Sequence, residues 1–217
     1  MKTIRKCISV LLIAIYAVCM TGCIFATKTR DAFLKTVKSY GCEEVENTMD
    51  LSKISSKRDS VGTVYYAAKD RADADKVYKT TINRNNNLPV KDIEDILIAK
   101  AREKGETRFH EASAYTFICF SEDDAKKIFD KYSETITKTD KKWYKQGNKW
   151  NVNYVIRYSK GSIGGTITGL YLYGNSVTTL QANFYFGEHE YNDFADHFCD
   201  KMGFVSPMTI YEYNSAD

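Results

Sequence analysis

The stretch from Lys149 to Phe186 constrains the fold most narrowly. Residues 149–158, KWNVNYVIRY, alternate cleanly: Trp150, Val152, Tyr154, Ile156 and Tyr158 on one side, Asn151, Asn153, Val155 and Arg157 on the other. A period of two marks a strand with one buried face. KGSIGG then supplies turn residues and TITGLYLY a second apolar strand. Gly174-Asn175 turns again, and SVTTLQANFYF makes a third strand. Strands joined by such short turns form an antiparallel meander.

Upstream, one pattern occurs twice. Residues 64–79 read VYYAAKDRADADKVYK and residues 115–130 read YTFICFSEDDAKKIFD. In register, Asp70 falls on Ser121, Asp73 on Asp124, Ala74 on Ala125 and Val77 on Ile128. Each copy reads as an apolar strand, a capping Asp or Ser, and a helix with an acid at its third position. The cap accepts from free first-turn N–H groups, and the acid suits the positive helix end. The match is short, so a duplicated unit and two ordinary helix starts both fit it.

Further helices are expected over Thr29–Tyr40 (Phe33, Val37 and Tyr40 on one face, Gly41 as stop), Val90–Lys104 (Ile93, Leu97 and Ala101, Gly105 as stop) and Glu188–Met202 (Phe194, Phe198 and Met202, then Gly203). NRNNNLP, residues 83–89, is a loop. The fold class these elements predict is α+β: a mostly antiparallel sheet, meander plus strand–helix units, with helices packed mainly on one face.

The N-terminus differs from everything after it. Lys2, Arg5 and Lys6 precede the apolar run ISVLLIAIYAV, and Met20-Thr21-Gly22 leads to Cys23. A basic start, a short apolar core and a small-residue exit make a secretory signal peptide. The run is shorter than the ~20 residues a spanning helix requires. MTGC resembles the lipobox of bacterial lipoproteins, with Met20 where leucine is usual. That resemblance implies cleavage before Cys23 and a diacylglycerol on its sulfur. Two acyl chains on one residue are enough for stable membrane attachment, and in that family the new amine is often acylated too. The expected organisation is a signal peptide over 1–22, a lipidated tether over 23–28 and one domain over 29–217. In layout the chain resembles small lipoproteins of Gram-positive anaerobes, which implies a place on the extracytoplasmic face of the cell membrane and no particular activity.

Removing 1–22 takes away three cations and no acid, so the formal charge falls from +3 to zero. A neutral domain has no general field for nucleic acid, and no nucleic-acid partner is expected. Three thiols then remain, Cys42, Cys119 and Cys199, so at most one disulfide can form; Cys42 and Cys199 both lie near helix ends, and a bridge between them is open. Cys119, in YTFICF, reads as a small buried hydrophobe.

No motif specifies a catalytic site or a cofactor. His189 and His197 lie eight apart, about 12 Å along a helix, too far to share one ion, and no metal site is expected. His110-Glu111 has no partner identifiable in the sequence. The most suggestive surface is Lys142–Trp150, KWYKQGNKW: Trp143, Tyr144 and Trp150 alternate with Lys142, Lys145 and Lys149 around an expected Gln-Gly-Asn turn. Such a tip can stack on sugars, meet lipid heads or grip a protein. The competing reading turns the indoles inward onto the core. The expectation is therefore a lipid-anchored, non-enzymatic envelope module that binds a protein or an envelope polymer. The alternative is an envelope or carbohydrate-active hydrolase with a dispersed carboxylate pair.

Overall fold

The computed structural model describes residues 28–56, 61–82, 93–105, 108–138, 143–186 and 192–215. Cys23, Lys142, His189 and the 83–89 segment lie outside the described residues. Helix α1 (28–39) is followed by β1 (Glu43–Glu44), α2 (Thr48–Ser56), β2 (Gly62–Ala67) and α3 (Arg71–Val77). Next come β3 (Asp95–Lys104), β4 (Phe109–Ile118) and α4 (Glu122–Thr137). Four strands follow, β5 (Tyr144–Lys149), β6 (Val152–Lys160), β7 (Gly164–Tyr173) and β8 (Ser176–Tyr185), then α5 (Asp193–Met202) and α6 (Met208–Ser215).

All eight strands form one sheet, in the order β1-β2-β3-β4-β8-β7-β6-β5. Every pairing is antiparallel except β1 with β2. The fold is α+β, and the β6–β8 meander stands as the sequence predicts. Its aromatics pack over bare backbone: a Cβ on Gly165 would lie 2.4 Å from Tyr158 Cε2 and 2.8 Å from Phe184 Cζ.

Helices cover both faces of the sheet, three described helices on each, where the sequence reading expects them mainly on one; the central strands carry apolar residues on both sides and so have two faces to bury. On the first, Phe33 and Val37 of α1, Phe194 and Phe198 of α5, and Met208 and Ile210 of α6 join one core. On the second, Leu51 of α2, Ala74 and Val77 of α3, and Ala125, Ile128 and Ile136 of α4 join another. Central strands therefore have apolar residues on both sides where helices lie on both sides.

Both strand–helix units form. Asp70 accepts from the Asp73 N–H at 2.9 Å and Ser121 from the Asp124 N–H at 3.1 Å. Each is an N-cap at the start of a helix on the second face. Gly203, at φ +70°, ends α5 in the left-handed conformation that glycine adopts freely.

Two local expectations fail as well. Residues 95–104 of the predicted Val90–Lys104 helix are strand β3. Leu97 and Ala101 are four apart, a spacing that a strand also places on one face, because four is a multiple of two. They face the first core, whereas Ile96 and Ile98 face the second. The Gln-Gly-Asn turn is also absent: Gln146, Gly147 and Asn148 pair within β5, and the chain turns at Trp150-Asn151. Helix α6 is absent from the sequence expectations although Ser206-Pro207 announces it, with the Met208 N–H donating to Ser206 Oγ at 3.2 Å.

Candidate functional site

The five strands β3, β4, β8, β7 and β6 change character halfway along. Near one end, rows of paired residues on the second face are mainly apolar: Ile96, Phe117, Val177 and Leu172, then Ile98, Tyr115, Thr179, Leu170 and Val155. Helices α2–α4 pack there. Two residues further along, the row becomes Lys100, Ser113, Gln181, Thr168 and Arg157, one from each of five adjacent strands. The next row holds the pair Arg102–Glu111, then Asn183, Thr166 and Ser159. At ~4.8 Å per strand the first polar row spans about 19 Å.

Helix α2 reaches these rows at the β3 end, where the Ile54 carbonyl accepts from Arg102. Gln181 is exposed although it sits on a central strand, and Lys100, Ser113, Thr168 and Arg157 are half-exposed. Lys100, Ser113 and Gln181 floor an open trough of about 280 Å³ together with Arg102, Glu111, Thr166 and Asn183, walled on one side by Ile54 of α2. Thr168 and Arg157 continue the row beyond this lining.

Its charges are held tightly. Arg102 Nε pairs with Glu111 Oε1 at 3.1 Å, Nη donates to the Ile54 carbonyl at 3.0 Å, and the guanidinium lies 4.1 Å from the Phe109 ring centre. Lys100 is different: burial pushes its pKa down, against the pull of Glu111. Arg157 Nε is buried without a hydrogen-bond partner. Burying the Lys100 charge and leaving the Arg157 Nε–H without a partner are both unfavourable, and a sheet face that merely meets water requires neither. The Tyr115 hydroxyl, at the apolar border, has its pKa raised by burial. The row and the trough can accept hydroxyls on their Ser, Thr, Gln and Asn groups, and anions at the two ends of the row, Lys100 and Arg157. Sequence reasoning found Arg157 and Thr166–Thr168 only as strand residues, because nothing local shows which strands become neighbours.

The predicted aromatic–basic cluster comes apart. Trp143 is half-buried and tilts against Tyr158 at 5.3 Å. Trp150 is 70% exposed, at the far end of β5. Tyr144 is half-buried, and Lys145 and Lys149 are exposed on the edge strand. Lysines on an edge strand discourage pairing with other chains. Lys149 Nζ lies 4.1 Å from the Trp150 ring centre.

His197 bonds Ser39 Oγ at 2.9 Å, which ties α5 to α1. His110 is buried, edge-on to Tyr185. Cys42, Cys119 and Cys199 are all buried free thiols; burial pushes Cys42 up to about 11 and the other two to about 12. Among the described residues no three His, Cys, Asp or Glu come together as metal ligands. Glu94 and Asp95 share a hollow of about 240 Å³. Burial, then the neighbouring Asp95, raises the Glu94 pKa; burial raises that of Asp95 against its bond from Arg30.

No protein-family model and no curated protein matches the chain. Among solved structures it is similar to the extracellular domain of PknH from Mycobacterium tuberculosis, at 14% identity and a TM-score of 0.36, over 77% of this chain and 93% of that one. No described helix is long and apolar enough to cross a membrane.

Proposed function

We propose that the protein is a lipid-anchored, extracytoplasmic binding module without enzymatic activity, and that its open sheet half takes a hydroxyl-rich, anionic envelope polymer. The lipobox-like MTGC and its basic, apolar leader support the anchor. The observation that carries the binding reading is the polar row Lys100–Ser113–Gln181–Thr168–Arg157 across five strands, which solvent reaches at every position. Short neutral donors and acceptors in the middle suit sugar hydroxyls, and cations about 19 Å apart suit carboxylates or phosphates spaced along a chain. The row is long and shallow, a shape for a strand rather than a small molecule. A hydrolase would draw on Glu94 and Asp95, but Arg30 is bonded to Asp95 there.

The test is sedimentation of the full chain, extracted in mild detergent, with purified cell-wall sacculi. Wild type is expected to sediment and to be released by salt. Lys100→Ala combined with Arg157→Ala is expected to weaken binding about tenfold or more, as loss of two charge-assisted contacts requires. Wild type that stays in solution, or a double variant that binds equally well, contradicts the proposal.

A further inference from the structure

The end of the sheet opposite the polar trough carries a different surface. Phe117, Val177, Leu172 and Asn153 pair in one row. Three residues past this row, at the same edge, lie Phe120 and Trp150. Both are exposed and each stacks with a cation: Arg71 at 4.3 Å from the Phe120 ring and Lys149 at 4.1 Å from the Trp150 ring. Trp150 also breaks a local rule. It and Asn151 form a two-residue turn with φ of 53° and 63°. Asn-Gly ordinarily fills such a turn, and a bulky residue is strained in it. An exposed indole held in a strained turn serves neither the turn nor the core.

Beside Trp150 is a hollow of about 310 Å³, lined by Val152, Tyr173, Met202 and Phe204, with exposed Lys28 at the start of α1 beside it. No acidic residue lines it. The described chain begins at this hollow, and Cys23 is five residues earlier, a reach of at most ~18 Å. A diacylglycerol on Cys23 would put its glycerol at the lipid surface within that reach. An indole with an apolar body, a polar N–H and flanking lysines suits the headgroup layer, where tryptophan concentrates.

We infer that this edge is the membrane-facing end of the protein and that the Trp150 corner, with Lys149 and Lys28, seats in the lipid headgroup layer. The inference rests on the lipid anchor proposed above. The polar trough, several residues further along every strand, then opens away from the membrane.

The full chain is expressed in a bacterium with Trp143→Phe, which leaves Trp150 as the single indole. It is then reconstituted into phosphatidylcholine–phosphatidylglycerol vesicles containing lipid brominated near the headgroup. The mass of the N-terminal peptide is measured on the same sample. The expected result is an acylated Cys23 together with Trp150 emission reduced to about half or less by the shallow bromines, as interfacial burial requires. An acylated Cys23 with unquenched Trp150 overturns the orientation and leaves the anchor standing. An unquenched Trp150 whose emission shifts with protein concentration assigns the corner to a second copy, and also overturns it. A chain without acyl groups removes the anchor, and the membrane contact with it.

Discussion

One sheet face carries two surfaces that share the same five strands. In one half, Phe117 and Val177 are essentially inaccessible beneath α3 and α4. In the other, Gln181 and Ser113, a few residues along the same strands, meet solvent above the trough. The covered half behaves as a core, where sequence is set by volume and burial. The open half keeps Lys100, whose burial is unfavourable, and a buried Arg157 Nε–H without a partner, and the proposed function explains them by what they meet rather than by what they stabilise. On the proposed reading, a strand changes from a structural to a recognition element without ending.

That contrast breaks most sharply under truncation in the covered half. Phe117→Ala, at 1% exposure, is expected to cost about 3–5 kcal/mol by lost burial and a residual cavity, which denaturant unfolding measures. Unfolding within 1 kcal/mol of wild type would mean that the helices do not close this half. Next in size is the cap that starts α4: Ser121→Ala is expected to cost about 1 kcal/mol, read by the same titration, with Thr in its place restoring most of it.

In the open half, Gln181→Ala is expected to stay within about 0.5 kcal/mol of wild type while weakening polymer binding. A large loss of stability there would make the polar row structural. The smallest effect has the opposite sign. Because burial holds the Lys100 pKa below its ordinary value, the charged form is less favourable folded than unfolded. Its cost persists below the folded pKa and is relieved as pH rises toward the ordinary lysine value of about 10.4. Lys100→Met is expected to raise stability slightly at neutral pH and to remove that contribution to the alkaline rise. A lower midpoint would show that Lys100 supports the fold.

What the sequence made legible follows the range of each signal. The β6–β8 meander, both N-caps and the Gly203 stop are specified within ten or so residues, and all are present. Strand β3 escaped because its Leu97–Ala101 spacing satisfies both periods, and only pairing with β2 and β4 settles which applies. The turn escaped because Gln146-Gly147-Asn148 is the better turn sequence, and Trp150-Asn151 a poor one. The polar row was out of reach for a different reason: its five members come from residues 100 to 181, and only sheet order makes them neighbours. Trp143 and Trp150 look equivalent in KWYKQGNKW, but the length of β5 separates them, one against the core and one in solvent.

The most direct measurement places a photo-crosslinking amino acid at position 181, in the open half, and separately at position 126, on the exposed side of α4, in the full chain in growing cells. The account predicts adducts from position 181 whose mass includes saccharide, with none from position 126. Saccharide adducts at both positions, or only protein at position 181, would contradict the assignment of the polar row to an envelope polymer.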